Sequence, residues 1–388
     1  MSFRLFVGLY LLALNLGFAA LQINLLRRRR QWPRTLAWGI AAWTVVMLTL
    51  GEVSLATPPE WKPFLRHWLY FPMAVQMVWN LLFIQILFLV GIMVTLVMGR
   101  LRPVKRSATV PTADISRRRF LYLVGCGTAP AAALALGVHG TLTRYDLQQR
   151  SFRLPVRGLP PELEGFTIAH VSDLHVGIYC GPKRLNLIRE ATNDLKADLV
   201  VVTGDIINSG LDELADAFPT LHGLRSRYGT YLCEGNHDVF PGPGLVRDAC
   251  RAQGLPFLDN SQAILTVNGR RLILGGLPWM RRGFEHHPEI VGNLYPARQE
   301  GDVRILLAHH PHLFDIAQDV DVVLTGHTHG GQIMVGDVGF GPLFFRYWSG
   351  YYRRGDTSLV VSNGGGDWFP CRVGAPAEIG LLTLTRAA

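Results

Sequence analysis

The sequence predicts an α/β domain, a sheet covered by helices, behind an N-terminal bundle of about four transmembrane helices. Three observations carry this. The first third of the 388 residues holds four long apolar stretches separated by arginine clusters. The remainder alternates short β-branched runs with helical stretches. Five of those runs end abruptly in Asp, His or Asn.

The apolar stretches are Phe6–Leu26, Leu36–Ala56, Tyr70–Met98 and Phe120–Leu142. Each is long enough for the ~20 residues that a bilayer requires. The fourth is the weakest, rich in Gly and Ala and interrupted by Pro130. The first connection carries Arg27, Arg28, Arg29, Arg30 and Arg34, and the third carries a second cluster ending in Arg117, Arg118 and Arg119. Positive connections stay in the cytoplasm. Both chain ends are therefore expected outside, with an extracytoplasmic C-terminal domain on a bacterial cytoplasmic membrane. Three spans and a peripheral fourth segment would leave that domain inside. Ser116-Arg117-Arg118-Arg119-Phe120-Leu121 also resembles a twin-arginine export signal placed internally, and both readings send the same segment outward. Ala133-Leu134-Ala135 offers a processing site.

Charge is divided unevenly. Residues 1–150 hold 17 Lys and Arg against 4 Asp and Glu, a balance of +13, whereas residues 151–388 carry −4. The basic charge thus belongs to the membrane segment. A mildly acidic globular part argues against nucleic acid as a partner, which usually needs a basic face. The five cysteines are odd in number and lack a CxxC, which argues against a disulfide framework and a structural zinc site. Residues 146–164 are polar and Pro-containing and read as a linker, leaving 1–145 as the anchor and 165–388 as the domain.

The runs that follow end in chemistry. Phe166–Val171 leads into Ser172-Asp173-Leu174-His175. Asp198–Val202 leads into Thr203-Gly204-Asp205 and on to Asn208. Gly229–Cys233 leads into Glu234-Gly235-Asn236-His237-Asp238. Val303–Leu307 leads into Ala308-His309-His310-Pro311, and Asp321–Leu324 into Thr325-Gly326-His327-Thr328-His329-Gly330-Gly331-Gln332. In open α/β sheets ligands bind beyond the carboxyl ends of strands. Asp supplies a hard anionic oxygen, His a borderline nitrogen and Asn a neutral carbonyl oxygen. That mixture suits Mn, Fe or Zn better than Ca or Mg, and the lack of Cys fits a catalytic rather than a structural site.

With these motifs in order, residues 165–388 resemble the calcineurin-like metallophosphoesterase superfamily. They resemble in particular its membrane-anchored or exported branch, the transmembrane proteins with a metallophosphoesterase domain. The closing Ser362-Asn363-Gly364-Gly365-Gly366 and Pro376-Ala377-Glu378 fit that branch, although Pro-Pro-Glu is its usual form and Asn208 stands where relatives often have Asp. The resemblance implies a sandwich of two mixed sheets flanked by helices. It implies two divalent transition-metal ions sharing Asp205, with Asp173, His175 and His329 completing one ligand set and Asn236, His309 and His327 the other. His237 is implied as proton donor or phosphate clamp, and Asp238 as a neighbour that orients it. The pair of cations would activate water and neutralise charge on the phosphoryl oxygens.

Other residues have plainer readings. His170 is expected to pack within its strand. His310 remains an alternative to His309 as ligand. His222, His286 and His287 read as surface or loop residues. The aromatic stretch Phe340–Tyr352, with Arg346, Arg353 and Arg354, either packs the second sheet or forms an amphipathic lip beside the site.

The expected function is hydrolysis of a phosphodiester or pyrophosphate by a membrane-anchored dimetal enzyme, on a lipid- or envelope-linked substrate. Alternatives are a pyrophosphatase resembling UDP-2,3-diacylglucosamine hydrolases, a phosphomonoesterase, and a membrane-anchored binding module. The full ligand set argues against the last.

Overall fold

The computed structural model describes residues 135, 138–177, 179–279, 289–368 and 370–387. The first three apolar stretches, all but the end of the fourth, the arginine clusters, and His286 and His287 lie outside these residues. Among the described residues no helix is long and apolar enough to cross a membrane. Leu142–Ala388 forms one compact unit.

Its strands, in chain order, are β1 (Leu147–Val156), β2 (Thr167–Val171), β3 (Leu199–Thr203), β4 (Thr230–Cys233), β5 (Ser261–Val267), β6 (Arg270–Gly276) and β7 (Val303–Leu307). They continue with β8 (Val322–Thr325), β9 (Met334–Val335), β10 (Val338–Gly339), β11 (Gly350–Arg354), β12 (Thr357–Val361) and β13 (Ala377–Arg386). One sheet has the order β1-β13-β2-β3-β4 and a second the order β11-β12-β8-β7-β6-β5. Both are mixed. In the first, β2, β3 and β4 run parallel while β13 is antiparallel to β2. In the second, β6, β7, β8 and β12 run parallel, with antiparallel β5 and β11 at the edges.

The sandwich follows from side-chain alternation. The central strands are apolar at nearly every position, the pattern of strands covered on both faces. Leu199 and Val201 of β3 join Val303, Ile305 and Leu307 of β7 in one core between the sheets. Val200 and Val202 point the other way, onto α1 (Pro182–Asp194), α2 (Leu214–Gly223) and α3 (Leu245–Ala252) through Ile188, Leu221 and Val246. Leu306 and Val323 likewise pack under α4 (Glu289–Gly292) and the 3₁₀ turn Pro311–Ile316.

The expected linker is corrected. Within residues 146–164, β1 pairs in parallel with β13 along its whole length. Phe152, Leu154 and Val156 face the core, while Ser151 and Arg153 face outward. The polar outer face and Pro155 conceal a strand that is tolerated because it lies at the sheet edge. All four described cysteines, Cys180, Cys233, Cys250 and Cys371, are buried free thiols whose burial raises their pKa.

This topology positions the site. The parallel strands of both sheets deliver their carboxyl ends to one edge of the sandwich, where the five motif loops meet.

Candidate metal centre

Three of the five motif loops turn sharply as soon as their strands stop. Asp173, His175, Asp205, His327 and His329 all have positive φ, between 43° and 73°. Non-glycine residues avoid that region, and such strain gathers at functional sites. Neighbouring glycines make the crowding feasible. A Cβ on Gly235 would lie 2.2 Å from the backbone N and Oδ1 of Asp205. One on Gly326 would lie 2.0 Å from Ser172 Oγ and 2.1 Å from Asp173 Oδ2. The absent side chain at Gly326 is the space that lets a carboxylate of one sheet approach a loop of the other, and the one at Gly235 lets two neighbouring loops of the first sheet meet.

One group forms around Asp173, His175 and His329, all buried. His175 Nε2 lies 2.9 Å from His329 Nε2, and His329 Nε2 lies 3.3 Å from Asp173 Oδ1. Two imidazole nitrogens aimed at each other at that distance mark a shared focus. Asp173 is fixed by Ser172 Oγ at 2.6 Å and by the His327 N–H at 3.1 Å from each carboxylate oxygen.

A second group holds Asp205, His309 and His327. His309 Nε2 lies 3.2 Å from Asp205 Oδ2, and His175 Nε2 approaches the same oxygen at 3.4 Å. Asp205 is therefore common to the two groups. His327 Nδ1 meets Asn236 Oδ1 at 2.7 Å. His309 Nδ1 lies 2.7 Å from the carbonyl of Thr203, which can only accept, so Nδ1 carries a proton and Nε2 is the nitrogen turned toward the carboxylates. Among the described residues that Nε2 is buried with no hydrogen-bond partner.

The electrostatics match. Burial opposes ionisation of Asp173 and Asp205, yet the neighbouring histidines hold both carboxyls below the ordinary range. Burial also opposes charge on His309, but Asp205 and Asp173 raise it to about 10. Burial drives His175 and His327 well below their usual value. Two buried carboxylates thus draw positive charge into the pocket, which is the charge pattern of a cation site.

His237 stands over the first group. Its ring meets His175 edge-on at 4.5 Å, and its Nδ1 lies 2.7 Å from the Asn208 carbonyl. Its backbone N–H donates to Asp205 Oδ1 at 2.7 Å. Asp238 turns the other way. Its carboxylate accepts from the N–H groups of Ile206, Ile207 and Gly235 at 2.8–3.2 Å. It therefore acts on His237 through the backbone, pinning the Asp205 loop to the Gly235 loop, while Asn208 orients the ring. Burial, then the charge of Asp205, push the Asp238 carboxyl up.

His170 is buried in β2 with Nε2 2.9 Å from Thr203 Oγ1. His310 caps the 3₁₀ turn by accepting from His312 N–H at 3.2 Å, and its ring lies 5.0 Å from that of His327. His309, rather than His310, joins Asp205. The Phe340–Tyr352 stretch divides between its two readings. Tyr347 packs on Phe314, whereas Leu343 and Phe344 are exposed.

Several supporting residues escaped the sequence reading. Arg372 is fully buried, paired with Asp367 at 2.5 Å and donating to the carbonyls of Asn363, Gly366 and Ala375. Its Nη2 lies 3.2 Å from His329 Nδ1. Glu378 bonds Asn363 N–H and Arg150, so the closing Pro-Ala-Glu holds the glycine-rich loop against the site. Glu213 binds the N–H groups of Asn208, Ser209 and Gly210. Trp279 lines the second group, 5.1 Å from the His327 ring. Of these only Glu378 lies in a quoted motif, the closing Pro376-Ala377-Glu378; for Arg372 the one signal is an arginine following a glycine-rich turn.

Residues 166–331 match the model of the calcineurin-like phosphoesterase family. These residues are a calcineurin-like phosphoesterase domain. The chain is 28% identical over 286 residues to a transmembrane protein with metallophosphoesterase domain from Danio rerio, covering 68% of this chain and 65% of that protein. It is 30% identical over 226 residues to an uncharacterized metallophosphoesterase from Helicobacter pylori, covering 55% and 58%. The chain thus spans about three-fifths of the length of these curated relatives. It is 29% identical over 283 residues to the metallophosphoesterase YkuE of Bacillus subtilis, covering 70% and 98%. A solved 5'-nucleotidase precursor from Thermus thermophilus overlaps 56% of this chain and 54% of its own, at 19% identity and a TM-score of 0.37.

The residues present fit divalent metals. Asp173, His175 and His329 could hold one ion, and Asp205, His309 and His327 another. A cation at each group would satisfy the unpartnered Nε2 of His309 and the facing nitrogens of His175 and His329.

Proposed function

We propose that the protein is a membrane-anchored phosphoesterase that hydrolyses a phosphodiester or pyrophosphate with two divalent transition-metal ions, Mn, Fe or Zn. Residues 1–145 serve as the anchor, and the domain beginning at β1 works on the extracytoplasmic side on a lipid- or envelope-linked substrate. The observation that carries this reading is the pair of adjacent ligand groups that meet at Asp205.

In this reading Asp173, His175, His329 and Asp205 hold one ion, and Asp205, Asn236, His309 and His327 the other. Such a pair supplies Lewis acidity and an activated water. The chain's own residues set the rest. The Thr203 carbonyl keeps the lone pair of His309 on Nε2. The N–H of His327 and the hydroxyl of Ser172 keep Asp173 aligned. The Asn208 carbonyl accepts a hydrogen bond from Nδ1–H of His237, leaving Nε2 to face the substrate. The doubly protonated ring gives its Nε2 proton to the departing oxygen and becomes the neutral Nδ1–H imidazole. The apolar arginine-flanked spans and the similarity to a transmembrane relative support the anchor.

The test uses the full chain in detergent. Metal analysis should find close to two ions per chain, and Asp205→Ala should lose the most. Hydrolysis of a panel of nucleotide and lipid diesters should depend on metal. One ion per chain, retained by Asp205→Ala, would overturn the dinuclear assignment.

A further inference from the structure

Beside the ligand groups the surface changes character. β9 and β10 form a small antiparallel hairpin that runs directly into the short helix α5 (Phe340–Phe344). Along this element Val338 is 77% exposed, Leu343 70% and Phe344 67%. Three exposed large apolar side chains thus fall within seven positions of one hairpin-and-helix element, closer together than single scattered ones. Arg346, two residues on, has a side chain 71% exposed, and its pair with Asp315 is long at 3.6 Å.

This patch is fastened to the metal-bearing turn. A Cβ on Gly331 would lie 2.4 Å from the backbone N of Gly341, so two glycines bring α5 against the turn that carries His329. Thr328 Oγ1 donates to the Trp348 carbonyl at 2.7 Å. The Phe345 ring stands edge-on to His327 at 5.5 Å. The exposed side chains therefore begin where the site ends.

We propose that Val338, Leu343 and Phe344, with Arg346 beside them, are a lip that enters an anionic phospholipid surface and brings a lipid headgroup phosphate to the metal centre. This rests on the phosphoesterase reading above. Charge and shape identify the occupant. Apolar side chains with a flanking guanidinium match the acyl boundary and phosphate layer of a bilayer. The long apolar stretches of the N-terminal third have the length that a bilayer anchor requires, which favours a lipid surface as the occupant.

The test reconstitutes the full chain in vesicles of phosphatidylglycerol and phosphatidylcholine. An environment-sensitive nitrobenzoxadiazole probe is attached through Leu343→Cys, with Lys183→Cys on exposed α1 as control. The lip probe should shift to the blue and be quenched by doxyl-labelled lipid, and the control probe should respond to neither. A lip that instead meets a protein, or water, leaves the Leu343→Cys probe unquenched by lipid and overturns the proposal. Activity gives a second readout. Val338→Ser with Leu343→Ser should lower kcat/KM on a vesicle-borne lipid diester by about 10–100-fold, the effect of withdrawing one or two apolar side chains from lipid. Hydrolysis of soluble bis-nitrophenyl phosphate should stay within about twofold. Equal rates on both substrates refute the lip while leaving the phosphoesterase reading intact. Failure of the unmodified chain on the soluble ester refutes that reading instead.

Discussion

Replacing His237 with Ala separates proton transfer from metal binding. The ring touches His175 and Phe240, each with centroids 4.5 Å away, and bonds the Asn208 carbonyl at 2.7 Å. Its backbone N–H, which holds Asp205 Oδ1 at 2.7 Å, survives the change. Because the residue is only part-buried, truncation should destabilise the fold by about 1 kcal/mol. The catalytic effect should be far larger. A lost general acid lowers rate by about 10²–10⁴-fold, or roughly 3–5 kcal/mol of transition-state stabilisation. That loss should appear in kcat on an alkyl diester and shrink strongly on a nitrophenyl ester, whose leaving group departs as an anion without a proton. Metal content should be unchanged. An equal loss on both esters would make His237 a phosphate clamp. A lost ion would place it among the ligands, a real alternative because its ring nitrogen falls within 4.8 Å of the ligand atoms of His175 and Asp205.

Three further outcomes follow from the same geometry. Gly326→Ala should displace Asp173, since the new Cβ would sit 2.1 Å from its Oδ2; elemental analysis should show a lost ion while circular dichroism shows the fold retained. Arg372→Met should lower thermal stability by about 3–5 kcal/mol by stranding the buried Asp367; adding Asp367→Asn should recover part of it, and no recovery would mean that the carbonyl bonds dominate. A reporter active only outside the cytoplasm, fused after Ala388, should be active; activity only from a cytoplasmic reporter would sink the proposed topology.

Much of the site is legible in the sequence because its chemistry is local. Asp173 and His175, Asn236 and His237, and His327 and His329 lie within single loops, so neighbouring letters describe neighbouring atoms. The division of strands between two sheets is less legible, because β3 and β7 are both apolar runs and nothing local says which partners each will find. β1 was hidden by its wet face and by Pro155. Asp238 shows a subtler limit. Adjacency to His237 suggested contact with the ring, but successive side chains at a turn diverge, and the carboxylate found three backbone N–H groups instead. Arg372 and Glu378 act on loops they reach only after the chain has closed, so their roles belong to tertiary structure alone.

The seam between the sheets has a thermodynamic consequence. Asp173 and Asp205 come from one sheet, and His309 and His329, which face them at 3.2–3.8 Å, come from the other. An ion held there ties the two halves of the sandwich together, so it acts as a ligand of the folded state that the unfolded chain cannot match. At a thousandfold excess over its Kd, each ion adds about 4 kcal/mol to the stability of the native form. That is a large part of the margin by which a domain stays folded. Metal scarcity in the cell would then lower the amount of this protein as well as its turnover, because the histidines placed to hold an ion would also clamp the two sheets.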